Sequence, residues 1–197
     1  MKNLNIYGEQ IDGYGLVNNF EGVGLSGSAI VIDNVTLKSG TKTLKAGLIG
    51  ANITTNGFAG NSASFVATIR NCSIEKDVII GYQGNQDRIG SFAGRFQGTI
   101  ENCVSYATVK GVDYVGGIMG TRDNAMGRSE INGCKFYGTV EATGKYAGGI
   151  VGGGYENSTA PNGIHVSVND CISSGTISGK ENVGGILGGD EYIAQAW

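Results

Sequence analysis

Apolar residues recur along this chain in columns. Six segments share one order: an apolar residue, two polar positions, a second apolar residue, then alternation. The first apolar column is Met1, Ile32, Ile69, Ile100, Ile131 and Val168. The second, three residues on, is Leu4, Val35, Cys72, Cys103, Cys134 and Cys171. Successive members of that column lie 31, 37, 31, 31 and 37 residues apart, a period that marks a repeat array. Two residues beyond it come Ile6, Leu37, Ile74 and Phe136, with Ser105 and Ser173 breaking the pattern; six beyond come Val78, Val109, Val140 and Ile177. Alternation of period two predicts short strands. The clear copies close on glycine pairs at 115–120 (VGGIMG), 147–152 (AGGIVG) and 183–188 (VGGILG), with 89–94 (IGSFAG) as a variant. Reduced forms stand at 14–17 (YGLV) and 46–50 (AGLIG).

The two leading apolar columns are an odd number of residues apart, so in one straight strand they would face opposite sides. Both are apolar throughout, which predicts a corner between them. The residue just before the second column is Asn3, Asn34, Asn71, Asn102, Gly133 or Asp170, the types that best tolerate a left-handed backbone. Copies stacked as parallel strands about 4.8 Å apart would turn Asn3, Asn34, Asn71 and Asn102, and likewise Cys72, Cys103, Cys134 and Cys171, into structural ladders. One position earlier, Lys2, Asp33, Arg70 and Glu101 alternate in sign before Asn132 and Asn169. Like charges directly opposed are destabilising; each exposed pair is worth at most ~1 kcal/mol, so the column selects register.

The expected fold is all-β: a single-stranded, right-handed parallel β-helix of about six rungs of 31–37 residues, with strands on three faces. An irregular two-sheet β-solenoid is the alternative. Residues 1–197 form one repeat domain, worn over 1–65 and clear over 66–197. Loops are expected at 51–65 and 153–163, at equivalent places in the repeat and so on one side of a solenoid, and a linker at 121–129. Met1 falls in mid-repeat, and the next anchor would lie past Trp197. The expectation is a segment of a longer protein, whose uncapped rungs are open to end-to-end contacts.

Composition narrows the function classes. The 36 glycines cluster at turns and lack the triplet of collagen. The net charge is −3, without a basic run, which argues against nucleic acid. No apolar run reaches the length of a membrane span, and the opening MKNLNIYG lacks a signal-peptide core. An even count of four cysteines suggests disulfides in a small secreted domain. Here their spacing is the repeat spacing and their column is shared with Leu4 and Val35, so buried free thiols are expected, with one or two disulfides as the alternative. Metal is not expected: no CxxC pair exists and His165 is the sole histidine. Nor is a dense acidic cluster present for calcium.

No cofactor is expected either. The glycine runs are not followed by the helix that a phosphate loop needs. Catalysis by a β-helix would call for paired carboxylates about 5–9.5 Å apart. The sequence offers Asp113, Asp123 and Glu156 with Arg122 and Arg128 nearby, and Asp33 and Glu101 separated by Arg70; no two acids are neighbours in a column in this reading. The chain is therefore expected not to be an enzyme, with a carbohydrate-active lyase or glycosidase as the alternative. Tyrosines are better candidates, because exposed rings suit sugars and protein partners. Tyr114 and Tyr146 precede equivalent glycine runs one step apart, while Tyr155 and Asn157 lie in the second long loop and Tyr82 at a turn. The competing role for Tyr114 and Tyr146 is packing over the glycine face.

The pattern G-x-[VI]-x-G followed by VGG-[IL]-x-G is similar to the GLUG motif of bacterial surface and secreted repeat proteins, among them adhesin-like proteins and the non-catalytic parts of immunoglobulin-A-specific peptidases. It is carried by 175–179 (GTISG) with 183–188, by 138–140 (GTV) with 147–152, and by 108–111 (TVKG) with 115–120. The resemblance extends over nearly the whole chain and is weakest over 1–65. It implies an extracellular β-solenoid and brings no catalytic residue. The expected function is a non-catalytic surface or secreted adhesin-like scaffold that meets a host glycan or extracellular protein, or else a plain stalk.

Overall fold

A computed structural model describes residues 2–6, 17–21, 31–43, 49–54, 67–122, 129–154 and 166–189. These residues are all-β, without a helix, and every strand pairing among them is parallel. Over 67–153 each repeat contributes five short strands, one to each of five columns, and 166–189 contributes four. The first column stacks Ala67–Arg70, Gly98–Glu101, Ser129–Asn132 and Val166–Asn169. The second stacks Ser73–Ile74, Val104–Ser105, Lys135–Phe136 and Ile172–Ser173. In the third, Lys42–Thr43, Ile79–Ile80, Thr108–Gly111, Thr139–Ala142 and Thr176–Ser178 follow one another. The fourth holds Ile89–Gly90, Val115–Gly116, Lys145–Gly148 and Glu181–Gly184. The fifth runs Val17–Glu21, Ile49–Thr54, Ala93–Phe96, Met119–Arg122 and Val151–Gly153. Each strand pairs with its counterpart one repeat away, an arrangement compatible with a β-solenoid. The strand Val31–Leu37 spans the first two columns at once and carries Lys2–Ile6 on its edge.

The corner between the two leading apolar columns lies at the Asn column. Asn3, Asn34, Asn71, Asn102, Gly133 and Asp170 all have positive φ, between 52° and 62°. This lets residues an odd number apart share one interior. Ile32, Ile69, Ile100 and Ile131 are buried on one side of the corner, and Val35, Cys72, Cys103 and Cys134 on the other. Leu37, Ile74 and Phe136, then Val78, Val109 and Val140, continue the same core. Ser105 stands in the Phe136 column yet is fully buried, its hydroxyl oxygen accepting the Ala107 N–H at 3.3 Å.

The glycine pairs close the turn from the fourth to the fifth column. A Cβ on Gly90, Gly116, Gly148 or Gly184 would strike the carbonyl oxygen three residues on, that of Ala93, Met119, Val151 or Leu187. Glycine is required there for close approach of the backbone to itself. The strand at Ile49–Thr54 takes up the first residues of the expected 51–65 loop, and Thr121, Arg122, Ser129 and Gly153 likewise belong to strands. Residues 55–65, 123–128 and 155–163 lie outside the described residues, as does most of the worn stretch over 1–65.

Register is reinforced on the outside. Lys2 pairs with Asp33, Asp33 with Arg70, Arg70 with Glu101, Glu101 with Asn132 and Asn132 with Asn169. Opposite charges meet across neighbouring repeats at Arg70–Asp33 (3.1 Å), Lys38–Glu75 (2.6 Å), Lys110–Glu141 (2.9 Å) and Lys145–Glu181 (3.5 Å). The hydrogen bond from Lys38 holds the Glu75 carboxyl below its ordinary value, and the charge of Glu181 raises the Lys145 ammonium. These exposed pairs contribute little to stability; a slip of one residue would place them against the wrong neighbours.

Gly148→Ala is expected to lower stability by about 2 kcal/mol or more, because a Cβ there meets fixed backbone. Gly185→Ala, where nothing lies within 4 Å, should stay within about 0.5 kcal/mol. Urea unfolding of the two variants checks both.

Candidate functional site

A second left-handed corner precedes the glycine pairs. Arg88, Tyr114, Tyr146 and Asn182 have φ of 60°, 57°, 63° and 55° and occupy one column, each just before its fourth strand or within it. Positive φ is uncommon for tyrosine. The side chains stack along the corner: the Arg88 guanidinium lies 5.8 Å from the Tyr114 ring centroid, and the Tyr114 and Tyr146 centroids are 4.7 Å apart with planes 15° apart. Glycines of the next turn make room for the rings. A Cβ on Gly153 would sit 3.1 Å from Tyr114 Cδ1, and one on Gly189 3.2 Å from Tyr146 Cδ1. Tyr114 is thereby 6% exposed and Tyr146 7%. The expectation of an exposed aromatic pair at these positions is corrected: the tyrosines pair, but as a buried corner stack, as their packing role required.

Two other tyrosines form the exposed stack. Tyr106 and Tyr137 lie three residues past Cys103 and Cys134, at the turn from the second to the third column. Their centroids are 5.3 Å apart, the planes 27° apart, and they are 40% and 38% exposed. Sequence reasoning passed over them because their column is chemically mixed: Lys38, Glu75, Tyr106, Tyr137, Ser174. The backbone gives it away. In each copy this residue's N–H donates to the carbonyl of the residue before its counterpart, as from Tyr106 to Ile74 and from Tyr137 to Ser105. Tyr155 and Asn157, the other two ligand-binding candidates, lie outside the described residues, as do Asp123, Arg128 and Glu156.

One pair of acids does share a column. Asp87 and Asp113 stand two residues before Ile89 and Val115, which are paired, followed in the column by Lys145 and Glu181. Asp87 lies 15 residues past Cys72 but Asp113 only 10 past Cys103, and the inserted loop hid the equivalence. Each carboxylate holds the next turn of backbone: Asp87 Oδ1 accepts the Asp113 N–H at 3.1 Å, and Asp113 Oδ1 accepts the Lys145 N–H at 2.6 Å.

The asparagine amides also bridge repeats. Asn34 Nδ2 donates to Asn3 Oδ1 (2.7 Å), Asn71 Nδ2 to Asp33 Oδ1 (2.9 Å) and Asn169 Nδ2 to Asn132 Oδ1 (2.8 Å). The backbone N–H of Asn102 donates to Asn132 O at 2.9 Å. Inside, Cys72, Cys103, Cys134 and Cys171 are free thiols, the first three buried. Each Sγ sits on the carbonyl two residues before it, at 3.1, 3.2, 3.5 and 3.2 Å. Each also reaches back to the carbonyl of Ile32, Ile69, Ile100 or Ile131 in the preceding copy. Burial pushes the Cys103 thiol up from its ordinary 9.0. Among the described residues no group of three or more His, Cys, Asp and Glu could hold a metal ion, and no helix is long and apolar enough to cross a membrane.

No protein-family model matches the chain, and no solved structure matches it. Among curated proteins it is similar to halomucin of Haloquadratum walsbyi, 34% identical over 152 residues. The match takes in 65% of this chain and 2% of halomucin, so the chain corresponds to a small fraction of that relative's length.

Three outcomes follow from this geometry. A thiol reagent at neutral pH should label Cys171 first and leave Cys72, Cys103 and Cys134 protected until unfolding. The raised Cys103 thiol makes its contribution to stability complete below pH 9, the ordinary value, and stability falls as the pH climbs above it, since only the unfolded thiol then ionises. Cys103→Ala should flatten that alkaline slope, read by urea unfolding from pH 7 to 10. At the corner, Tyr146→Ala and Tyr146→Gly both lose the ring stack, but glycine relieves the left-handed strain. The glycine variant should be the more stable by about 1 kcal/mol.

Proposed function

We propose that this chain forms a right-handed, single-stranded parallel β-helix of about six rungs that serves as a non-catalytic scaffold in a surface or secreted protein. The observation that carries the reading is the in-register stacking of outward residues. It sets charge pairs and one exposed ring pair, Tyr106 and Tyr137, on the outside across neighbouring repeats, a surface suited to contact with a partner. The glycine-run pattern similar to the GLUG motif supports an adhesin-like setting, and the likeness to a relative named halomucin supports a surface or secreted one. The partner on this reading is a glycan or an extracellular protein. The exposed Ile172, Val183 and Ile186 of the last described repeat supply apolar surface for end-to-end contact with a further repeat.

Asp87 and Asp113 come closest to a catalytic carboxylate pair. Each holds a backbone N–H of the neighbouring turn, and this gives them a structural task in the stack.

The test is a binding screen of the purified chain against glycans and extracellular-matrix proteins, with release of reducing ends followed in the same wells. Saturable binding without product is expected. Product formation that is lost in Asp113→Asn would replace the scaffold reading with a carbohydrate-active enzyme.

A further inference from the structure

Two tyrosine pairs in one molecule stack differently, and the difference has a chemical use. Tyr114 and Tyr146, 4.7 Å apart and nearly parallel, are covered by Arg88 and by the backbone at Gly153 and Gly189. Tyr106 and Tyr137 have centroids 5.3 Å apart with planes 27° apart. Planes tilted by 27° do not seal against one another. Both rings stay partly open to water, with exposures of 40% and 38%. Beyond Tyr137 the same column holds Ser174, whose short side chain cannot cover a ring.

The flanks of this pair are polar but close to neutral. On one side runs a hydroxyl ladder, Thr108, Thr139 and Thr176, in register. Beyond it Lys110 and Glu141 neutralise one another at 2.9 Å. At the head of the tyrosine column Lys38 and Glu75 do the same at 2.6 Å. On the other side Val104, Lys135 and Ile172 are in register, leaving a single cation, Lys135, among apolar neighbours. Neighbouring strands repeat about every 4.8 Å, close to the length of one pyranose ring in an extended, equatorially linked chain.

We infer that the strip of Tyr106, Tyr137, Thr108, Thr139 and Thr176 is a binding site for a neutral, extended glycan lying along the solenoid axis. The C–H faces of successive sugar rings would rest on the open parts of the two rings, and their hydroxyls would meet the threonine ladder. A strongly anionic polysaccharide is disfavoured, because most cations beside the strip already have partners. This rests on the scaffold reading above and gives its surface a location and a ligand class.

The experiment titrates the whole chain with cellohexaose, chitohexaose and mannohexaose, and with polygalacturonate as the anionic comparison, by calorimetry. At least one neutral hexasaccharide should bind saturably. The double variant Tyr106→Ala, Tyr137→Ala should weaken it by about tenfold or more. Tyr106→Phe with Tyr137→Phe, which keeps the ring faces, should stay within about threefold. Tyr82→Ala, away from the strip, should bind as the parent does. Tetranitromethane nitration of the parent chain, mapped by mass spectrometry, gives an answer independent of any variant's folding: the bound sugar should protect Tyr106 and Tyr137. Undiminished binding in the double alanine variant without protection of these rings overturns the site and leaves the scaffold reading standing. A parent chain that binds matrix protein but no neutral hexasaccharide overturns the ligand class. Binding to neither class overturns both the site and the binding role of the scaffold, and leaves a plain stalk.

Discussion

Everything in this structure depends on parallel strands stacking in register, one repeat on the next. Backbone hydrogen bonding between equivalent strands brings like positions within about 4.8 Å of each other, so any residue in a column meets its own counterpart. The consequences run in both directions. Inward columns must be largely apolar, and the two leading ones are so from Ile32 to Ile131 and from Val35 to Cys134, while the buried Ser105 keeps its hydroxyl hydrogen-bonded. Outward columns must not place like charges together, and Asp33–Arg70, Lys110–Glu141 and Lys145–Glu181 obey that rule. Even the departure at Asp87 and Asp113 is answered, each carboxylate taking a backbone N–H of the next turn.

Closing each turn of chain demands sharp corners, and two columns supply them by different chemistry. The first uses Asn, Gly and Asp, whose short side chains tolerate positive φ and reach across to the neighbouring copy. The second uses Arg88, Tyr114, Tyr146 and Asn182. Backbone strain there is compensated by ring stacking and by the open space over Gly153 and Gly189. The glycine pairs just beyond serve a third geometric need, a backbone that approaches its own carbonyl. Scaffold demands thus account for the glycine pairs and for Tyr114 and Tyr146. Residues outside those demands, such as Tyr106 and Tyr137, are where a function can be added without disturbing the stack.

The thiol column illustrates the same economy. A cysteine is small enough for the tight space after the corner, and its S–H can rest on two carbonyls, one from its own turn and one from the copy before. Valine at position 35 fills the same place without those contacts. Even cysteine number and regular spacing thus reflect the repeat.

The sequence by itself determined the repeat, the strand periodicity, the first corner and its left-handed residues, the membership of the core and the register of the charge column. All of these are local or periodic properties, so a column of like residues discloses them. Only the tertiary structure decided which tyrosines are open to solvent. Tyr114 and Tyr146 share a visible position before the glycine runs, but their burial depends on backbone from the following turn. Tyr106 and Tyr137 sit in a column of unlike residues, and their exposure comes from the turn they occupy. The pairing of Asp87 with Asp113 was hidden for a related reason. An inserted loop changes distance along the chain while leaving position in the stack unchanged, and it is position in the stack that sets which side chains meet.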